Sequence, residues 1–395
     1  MNKIVISLLC TIALFADESP LSQQKQETLD LKRKQIEQDM DVAMKSWISP
    51  LILSLSINEN KNSLNNNSEL QNASLQWNQD LFRSGGIGYT IEQSKANGAA
   101  NLLGIDIQEA TYLKNLYTLK TQIERDKLAV NQSQLTLKNS DIDLLMTKAK
   151  YKAGLSDLSQ LNQITLNRDT ARTNLIVITN SLESETYELK KLIQSKSTDT
   201  ITIPTIAVPS KEEYLAKNLE LLQYNKQDQA TEAAWKNKAS SYLPKLAFNG
   251  SYGYSKNIYN NPYSSDFEGN EYSYGLTLSM PLLDVNANAS TQSAKLQYLQ
   301  TKSAQTDRQI ELIQEYEKHI NNIRNYNEKI VLADEMIKMY DELYDFTKGQ
   351  VAAGFKSQYD LDSLQNSVNI QKLEKEIQNY NISIEKITLY FDTKH

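Results

Sequence analysis

Cysteine is almost missing from this sequence. The 395-residue chain has one, Cys10, near its start. That start reads as a secretory signal: "MNK" supplies a positive end, "IVISLLCTIALF" an apolar stretch, and cleavage fits after Ala16. Leu9 precedes Cys10 where bacterial lipidation needs a small residue, so Cys10 reads as part of the signal. The mature chain then has no thiol, which excludes disulfides and cysteine metal sites. Histidine is nearly absent too, with only His319 and the terminal His395. No P-loop, dinucleotide fingerprint or metal-ligand cluster occurs, so no enzyme and no cofactor are expected. After residue 16 no run of about 18 apolar residues appears, which excludes a transmembrane helix but not a β-barrel. Basic runs are missing and the formal charge is −6, against nucleic-acid binding. Glycine (12) and proline (7) are scarce, which favours long helices. What the chain does hold in excess is tyrosine, 22 against 7 phenylalanines.

The sequence also says the same thing twice. "YKAGLSDLSQL" at 151–161 is matched by "VAAGFKSQYDL" at 351–361, with Gly154 and Gly354 200 residues apart. Ile123, Val130, Leu137, Leu144 and Tyr151 step by seven, and Ile323, Ile330, Ile337, Tyr344 and Val351 sit 200 residues on. "QSK" at 93–95 faces "QSAK" at 292–295. The chain therefore divides into the signal (1–16), a first repeat (17–194), an extended linker (195–210) and a second repeat (211–395). Pro204 and Pro209 forbid a continuous helix in the linker.

Each repeat has one order of elements. The first predicts a helix over 22–48, a hairpin over 50–83, a long helix over 88–152 and a returning helix over 155–194. The second predicts a helix over 211–241, a hairpin over 244–281, a long helix over 287–352 and a returning helix over 356–391. Strands are expected at 51–57, 75–82, 245–255 and 272–280, where residues alternate with period two. The Asn/Ser-rich stretch 58–73 and the segment around Asn260, Asn261 and Pro262 read as loops. About 65 helical residues rise ~100 Å, too long for a compact core, so the helices must stand side by side. A second seam supports that: Leu128, Leu135, Ile142 and Ala149 on one long helix, and Leu332, Met339 and Phe346 on the other. On periodicity alone a multi-helix bundle remains open.

Four strands cannot close a membrane barrel, since single-chain bacterial barrels start at about eight. Open edges fail in lipid because each unpaired backbone group costs several kcal/mol there. Strands that span a membrane must therefore be shared among chains. Trp47, Trp77, Tyr242, Tyr272 and Tyr274 fall at strand ends, and such amphipathic rings favour the headgroup level. A soluble two-hairpin sheet with aromatic edges is the other reading.

At these residues the chain resembles a known family, the TolC-type outer-membrane factors. "LPKLAFNGSYGYS" is similar to the family's Leu-Pro strand entry. "LFRSGGI" and "LSMPLLD" resemble its strand exits, with Phe82 in place of the usual proline in the first. "YKAGLSDLSQL" and "AAGFKSQYDL" resemble its two helix-hairpin tips. The resemblance covers the whole mature chain. It implies a mainly α fold with a β part: a duplicated coiled-coil tunnel in the periplasm, and four strands per chain in a shared 12-stranded outer-membrane barrel of three chains. It implies an exit duct for a tripartite efflux pump or type I secretion system. The expected partners are two further copies, outer-membrane lipid, a periplasmic adaptor (membrane fusion protein) and an inner-membrane pump. It assigns adaptor docking to Ala153, Gly154, Leu155, Ala353, Gly354 and Phe355. It puts a periplasmic constriction at Asp360, with Asp362 beside it and Lys356 as a basic tip position. Ser363 departs from the family's second acid. A trimeric adhesin-like surface protein and a periplasmic coiled-coil scaffold are the alternatives. The exported substrate is not written in the sequence.

Overall fold

The computed structural model describes residues 20–61, 68–193, 202–203, 205–259 and 265–393. The signal segment with Cys10, part of the linker including Pro204, Asn260–Pro262 and His395 lie outside them. The helices are α1 (Gln23–Lys45), α2 (Gly86–Lys152), α3 (Leu158–Ile193), α4 (Lys211–Lys217), α5 (Leu219–Ser240), α6 (Ala287–Ala352) and α7 (Gln358–Phe391). The strands are β1 (Ile52–Asn60), β2 (Ser68–Phe82), β3 (Lys245–Tyr259) and β4 (Phe267–Ser279). The fold is mainly α with one four-stranded sheet, as the sequence predicts.

Three boundaries differ from the sequence expectation. The strands are longer: β2 starts at Ser68, inside the expected loop, and β4 starts at Phe267. Asn and Ser have poor strand propensity, but a neighbouring strand satisfies their backbone. Asn72 faces Ser56 on one side and Ser255 on the other. The helix expected over 211–241 is broken at Asn218, whose ψ of 123° is extended. There Asn218 pairs with Thr393, and the Leu219 N–H donates to the Asp392 carbonyl at 3.0 Å. The end of the chain thus takes the backbone groups the helix would have used. The returning helices begin at Leu158 and Gln358, after a short turn, rather than at 155 and 356.

The two repeats are not the compact units of the molecule. One unit comprises Met1–Asp30, Ile105–Glu220 and Gln309–His395, and the other Leu31–Gly104 and Leu221–Arg308. Each draws on both repeats, as an intertwined duplication must.

The first unit has an apolar cluster of Leu21, Leu116, Tyr117, Ile123, Leu189, Ile193, Ile206, Ile387 and Phe391. Tyr117 stacks on Phe391 at 5.5 Å, with 12° between the rings. Ile206 brings the described part of the linker into this cluster, and Pro209 accepts a hydrogen bond from the Tyr316 hydroxyl at 2.8 Å. Lys114 Nζ meets Asp392 Oδ1 at 2.7 Å and ties down the last helix. The apolar seam of α6 from Ile323 to Val351 is partly buried. Its second seam is not: Leu332, Met339 and Phe346 are all exposed, Phe346 at 65%.

The second unit holds the sheet and the helix segments next to it. Helices pack closely where side chains are smallest: a Cβ on Gly98 of α2 would lie 2.4 Å from the Met40 sulfur of α1. Trp235 of α5 stacks on Tyr298 of α6 at 5.9 Å.

Candidate functional site

Two regions carry the functional expectations, the sheet and the two helix-hairpin tips. The sheet runs β1-β2-β3-β4, all neighbours antiparallel, with β1 and β4 as open edges. Because side chains alternate across a strand, the register sorts them into two faces. One face carries Leu53 and Leu55 on β1, Ala73, Leu75 and Trp77 on β2, Leu246, Phe248, Tyr252 and Tyr254 on β3, and Tyr272, Tyr274, Leu276 and Leu278 on β4. The other carries Ser54, Ser56, Asn72, Ser74, Gln76, Asn249, Ser251, Ser255, Ser273 and Thr277.

Contacts follow that division. On the apolar face Trp77 meets Phe248 edge-on at 5.6 Å. On the polar face Ser251 and Ser273 hydroxyls lie 2.8 Å apart, and Asn249 donates to Thr277 at 2.7 Å. From Leu246 to Tyr254 the apolar stretch covers about 25 Å along the strand, the scale of a lipid-facing band. Charge closes it at the far end, where Lys256 Nζ pairs with Glu268 Oε2 at 3.2 Å and Tyr254 donates to Glu268 at 2.6 Å.

The expected interface aromatics divide. Trp77 is level with Tyr274 on the apolar face, beside the start of β1, its indole donating to the Ser49 carbonyl at 3.3 Å. Trp47 and Tyr242 are half-buried in the segments that enter β1 and β3. Tyr272 and Tyr274 sit in mid-strand rather than at a strand end, because β4 begins at Phe267 and pairs from there. Both are exposed on the apolar face, at 76% and 78%. The longer strand, set by pairing with β3, was invisible to local patterning.

The tips share one backbone device. Gly154 and Gly354 have φ of 74° and 79°, the left-handed region open to glycine at little cost. Leu155 N–H donates to Lys150 O at 2.8 Å and Gly154 N–H to Tyr151 O at 3.0 Å. At the other tip Phe355 N–H donates to Gln350 O at 2.9 Å and Gly354 N–H to Val351 O at 3.0 Å. Both are Schellman closures, in which the last carbonyls of a long helix find donors from the turn. Ala153 and Ala353 are exposed beside them, and Leu155 and Phe355 project at 79% and 83% exposure. No neighbour lies within 4 Å of a Cβ built on either glycine.

The returning helices are capped differently. Asp157 accepts from Gln160 N–H at 2.7 Å. Ser357 and Asp360 form a full capping box: Ser357 Oγ accepts from Asp360 N–H, and Asp360 Oδ2 accepts from Ser357 N–H at 3.0 Å and from its hydroxyl at 2.7 Å. The Ser357 hydrogen bonds, with Lys356 and Lys150 nearby, hold the Asp360 carboxyl below the usual aspartate range, although partial burial opposes them. The free acid expected at 360 is therefore a helix cap first. Asp362 accepts from Gln358 at 2.8 Å and lines an open groove of about 400 Å³ with Lys138 and Asp141. Lys356 is exposed and has no ion-pair partner among the described residues.

One group went unnoticed in the sequence. Glu185 of α3 reaches Arg125 of α2 at 3.8 Å beside Asp126, with its side chain 17% exposed. One of its oxygens is buried with no hydrogen-bond partner. Burial, and then the Asp126 charge, push its pKa up to about 7 against the pull of Arg125. Among the described residues no group of three or more candidate ligands could hold a metal, and no helix is long and apolar enough to cross a membrane.

Comparison with known proteins agrees with this arrangement. Residues 211–391 match a family described as "Outer membrane efflux protein". A membrane protein from Pseudomonas aeruginosa superposes with a TM-score of 0.72 at 12% identity, covering 93% of this chain and 90% of that one. The fold is that of the outer-membrane efflux channels. VceC from Vibrio cholerae matches with a TM-score of 0.70 at 13% identity, over 92% of both chains. CmeC from Campylobacter jejuni, described as an outer membrane channel, gives 0.72 at 14%, covering 94% of this chain and 84% of its own. No curated protein sequence matches the chain. The chain resembles the TolC-type outer-membrane factors in the matched sequence of its second repeat, and in fold over nearly its full length. The family description and the titles of VceC and CmeC all name the outer membrane.

Proposed function

We propose that this chain is one third of an exit duct in the bacterial outer membrane, serving an efflux pump or type I secretion system. The sheet carries the argument. It has one apolar and one polar face, and both edge strands are unpaired. In lipid such edges must pair. Four is an even number, so β4 of one chain and β1 of the next meet antiparallel, and the alternation continues round a ring. Three chains give twelve strands with tyrosine, tryptophan and leucine outward and serine and asparagine inward. The second seam of α6 supports the same assembly, since Leu332, Met339 and Phe346 are exposed among the described residues and a second copy would cover them.

The duct reading gives the tips a role that turn geometry does not require. Leu155 and Phe355 are large apolar groups held out at the closed ends of two rigid helices. They suit docking of a periplasmic adaptor, with Ala153, Gly154, Ala353 and Gly354 allowing close approach. Asp360, Asp362 and Lys356 would repeat three times around the periplasmic mouth. Energy would come from an inner-membrane pump, so the duct needs no catalytic residue. The hairpins lie one in each repeat, which separates this plan from an adhesin with its strands gathered at one end.

Membrane fractionation followed by mass measurement in detergent tests the assignment. The expected result is an outer-membrane protein with the mass of three chains. A monodisperse monomer soluble without detergent would overturn it and favour the periplasmic scaffold.

A further inference from the structure

One charge on the polar face of the sheet stands alone. Asp80 and Lys245 mark the helix-proximal end of that face, and Asn257 and Phe267 the far end. Between them the face carries Ser, Thr, Asn, Gln, Gly and a few small or aliphatic side chains, with Glu271 the one charged group. Glu271 lies opposite Gly253, and its same-face neighbours on β4 are Gly269 and Ser273. It is exposed, and among the described residues its carboxylate has neither an ion pair nor a hydrogen bond. The far end of the apolar face is different, since Glu268 there is neutralised by Lys256.

We propose that Glu271 is a specificity-determining residue of the duct, three copies forming a carboxylate ring on the barrel wall that favours cations over anions. This rests on the trimeric-barrel reading above. In that assembly β4 is an edge, and the next chain's β1 comes to lie beside it. On the same face β1 offers Ile52, Ser54, Ser56 and Asn58, none of them charged. Nothing on any strand then cancels the ring. Charged rings of this kind bias ion passage through their field. Four strands at about 4.8 Å spacing set successive copies roughly 20 Å apart along the wall, more than one Debye length at physiological salt, about 8 Å. The preference is therefore strongest at low ionic strength and fades as salt rises.

Reversal potentials across planar bilayers under a potassium chloride gradient test this on the full-length protein. Glu271→Gln is expected to lower the cation-to-anion permeability ratio by about twofold or more at low salt. Glu271→Lys is expected to invert the preference. Each variant is first checked for trimer mass, and Glu271→Ser, matching the rest of the face, stands in if Glu271→Lys fails to assemble. Repeating the set with Asp360→Asn removes the charge at the periplasmic mouth from the comparison. A conducting trimer whose reversal potential is unmoved by all these changes overturns the role of Glu271. A wild-type protein that forms no channel overturns the duct reading instead.

Discussion

Replacing Glu185 with glutamine should stabilise the protein increasingly as pH rises from about 4.5 to about 7, and fully above that. An exposed glutamate ionises near 4.5, whereas the Glu185 carboxyl is held up to about 7 by burial and the Asp126 charge. Below pH 4.5 the group is protonated in both folded and unfolded chains and carries no penalty. Between 4.5 and 7 the unfolded chain releases a proton that the folded chain retains, so stability falls as pH rises. Above 7 the folded carboxylate is charged beside Asp126, and the penalty is complete. A shift of this size corresponds to an upper bound of roughly 3 kcal/mol. The side chain keeps 17% of its surface in water, and solvent screening reduces the figure to roughly 1–2 kcal/mol per chain. Glutamine stays neutral throughout, and its amide suits donation to Asp126. Thermal unfolding of the detergent-purified trimer, followed by far-UV circular dichroism, reads the difference between variant and wild type. The variant should melt higher above pH 7 and match wild type below pH 4.5. An equal difference at both ends would mean that packing, not ionisation, decides, and the assignment of the raised pKa would fail.

Gly354→Ala should cost about 1–2 kcal/mol per chain, because alanine must adopt a φ of 79°. Its Cβ meets nothing, so the cost is purely conformational, and Gly354→Asn should lose less in the same melting assay. Gly98→Ala should cost about 1–2 kcal/mol through overpacking on Met40, and Met40→Ala in the same chain should recover part of it. Leu189→Ala, in a fully buried position, should cost about 2–5 kcal/mol. At the tip, Asp360→Asn should lower helix stability by about 1 kcal/mol because the capping box is weakened. If Ser357→Ala changes bilayer selectivity as much as Asp360→Asn does, the cap and not the charge is responsible.

The large features were legible because they rest on local signals. Seven-residue spacing sets the long helices, and a lone glycine followed by a polar cap sets each tip. What failed to show depends on partners distant in sequence. Asn218 looks like an ordinary helical position until Thr393, at the other end of the chain, takes up its backbone. Ser68 to Asn72 looks like loop until β1 and β3 flank it. Asp360 could be placed at the tip, but its engagement with Ser357 competes with the role of a free charge at the mouth. Glu185 had no signal at all, since only the packing of α2 against α3 makes it unusual.

The duplication therefore carries a physical asymmetry. Both tips use the same left-handed glycine and the same pair of backbone hydrogen bonds, because any long helix that reverses this sharply must satisfy its last carbonyls. Nothing in that requirement fixes the side chains around it. Leu155 stands where Phe355 does, an aspartate caps one returning helix, and a serine–aspartate box caps the other. Only the second tip has a lysine directly after its projecting apolar residue. A partner that reads side chains meets two different surfaces on one repeated backbone. Exchanging Leu155 for phenylalanine and Phe355 for leucine should leave the melting temperature nearly unchanged, since both side chains are exposed. It should weaken pull-down of a cognate adaptor if the two tips are read separately. An unchanged affinity would mean that the adaptor reads the shared turn alone.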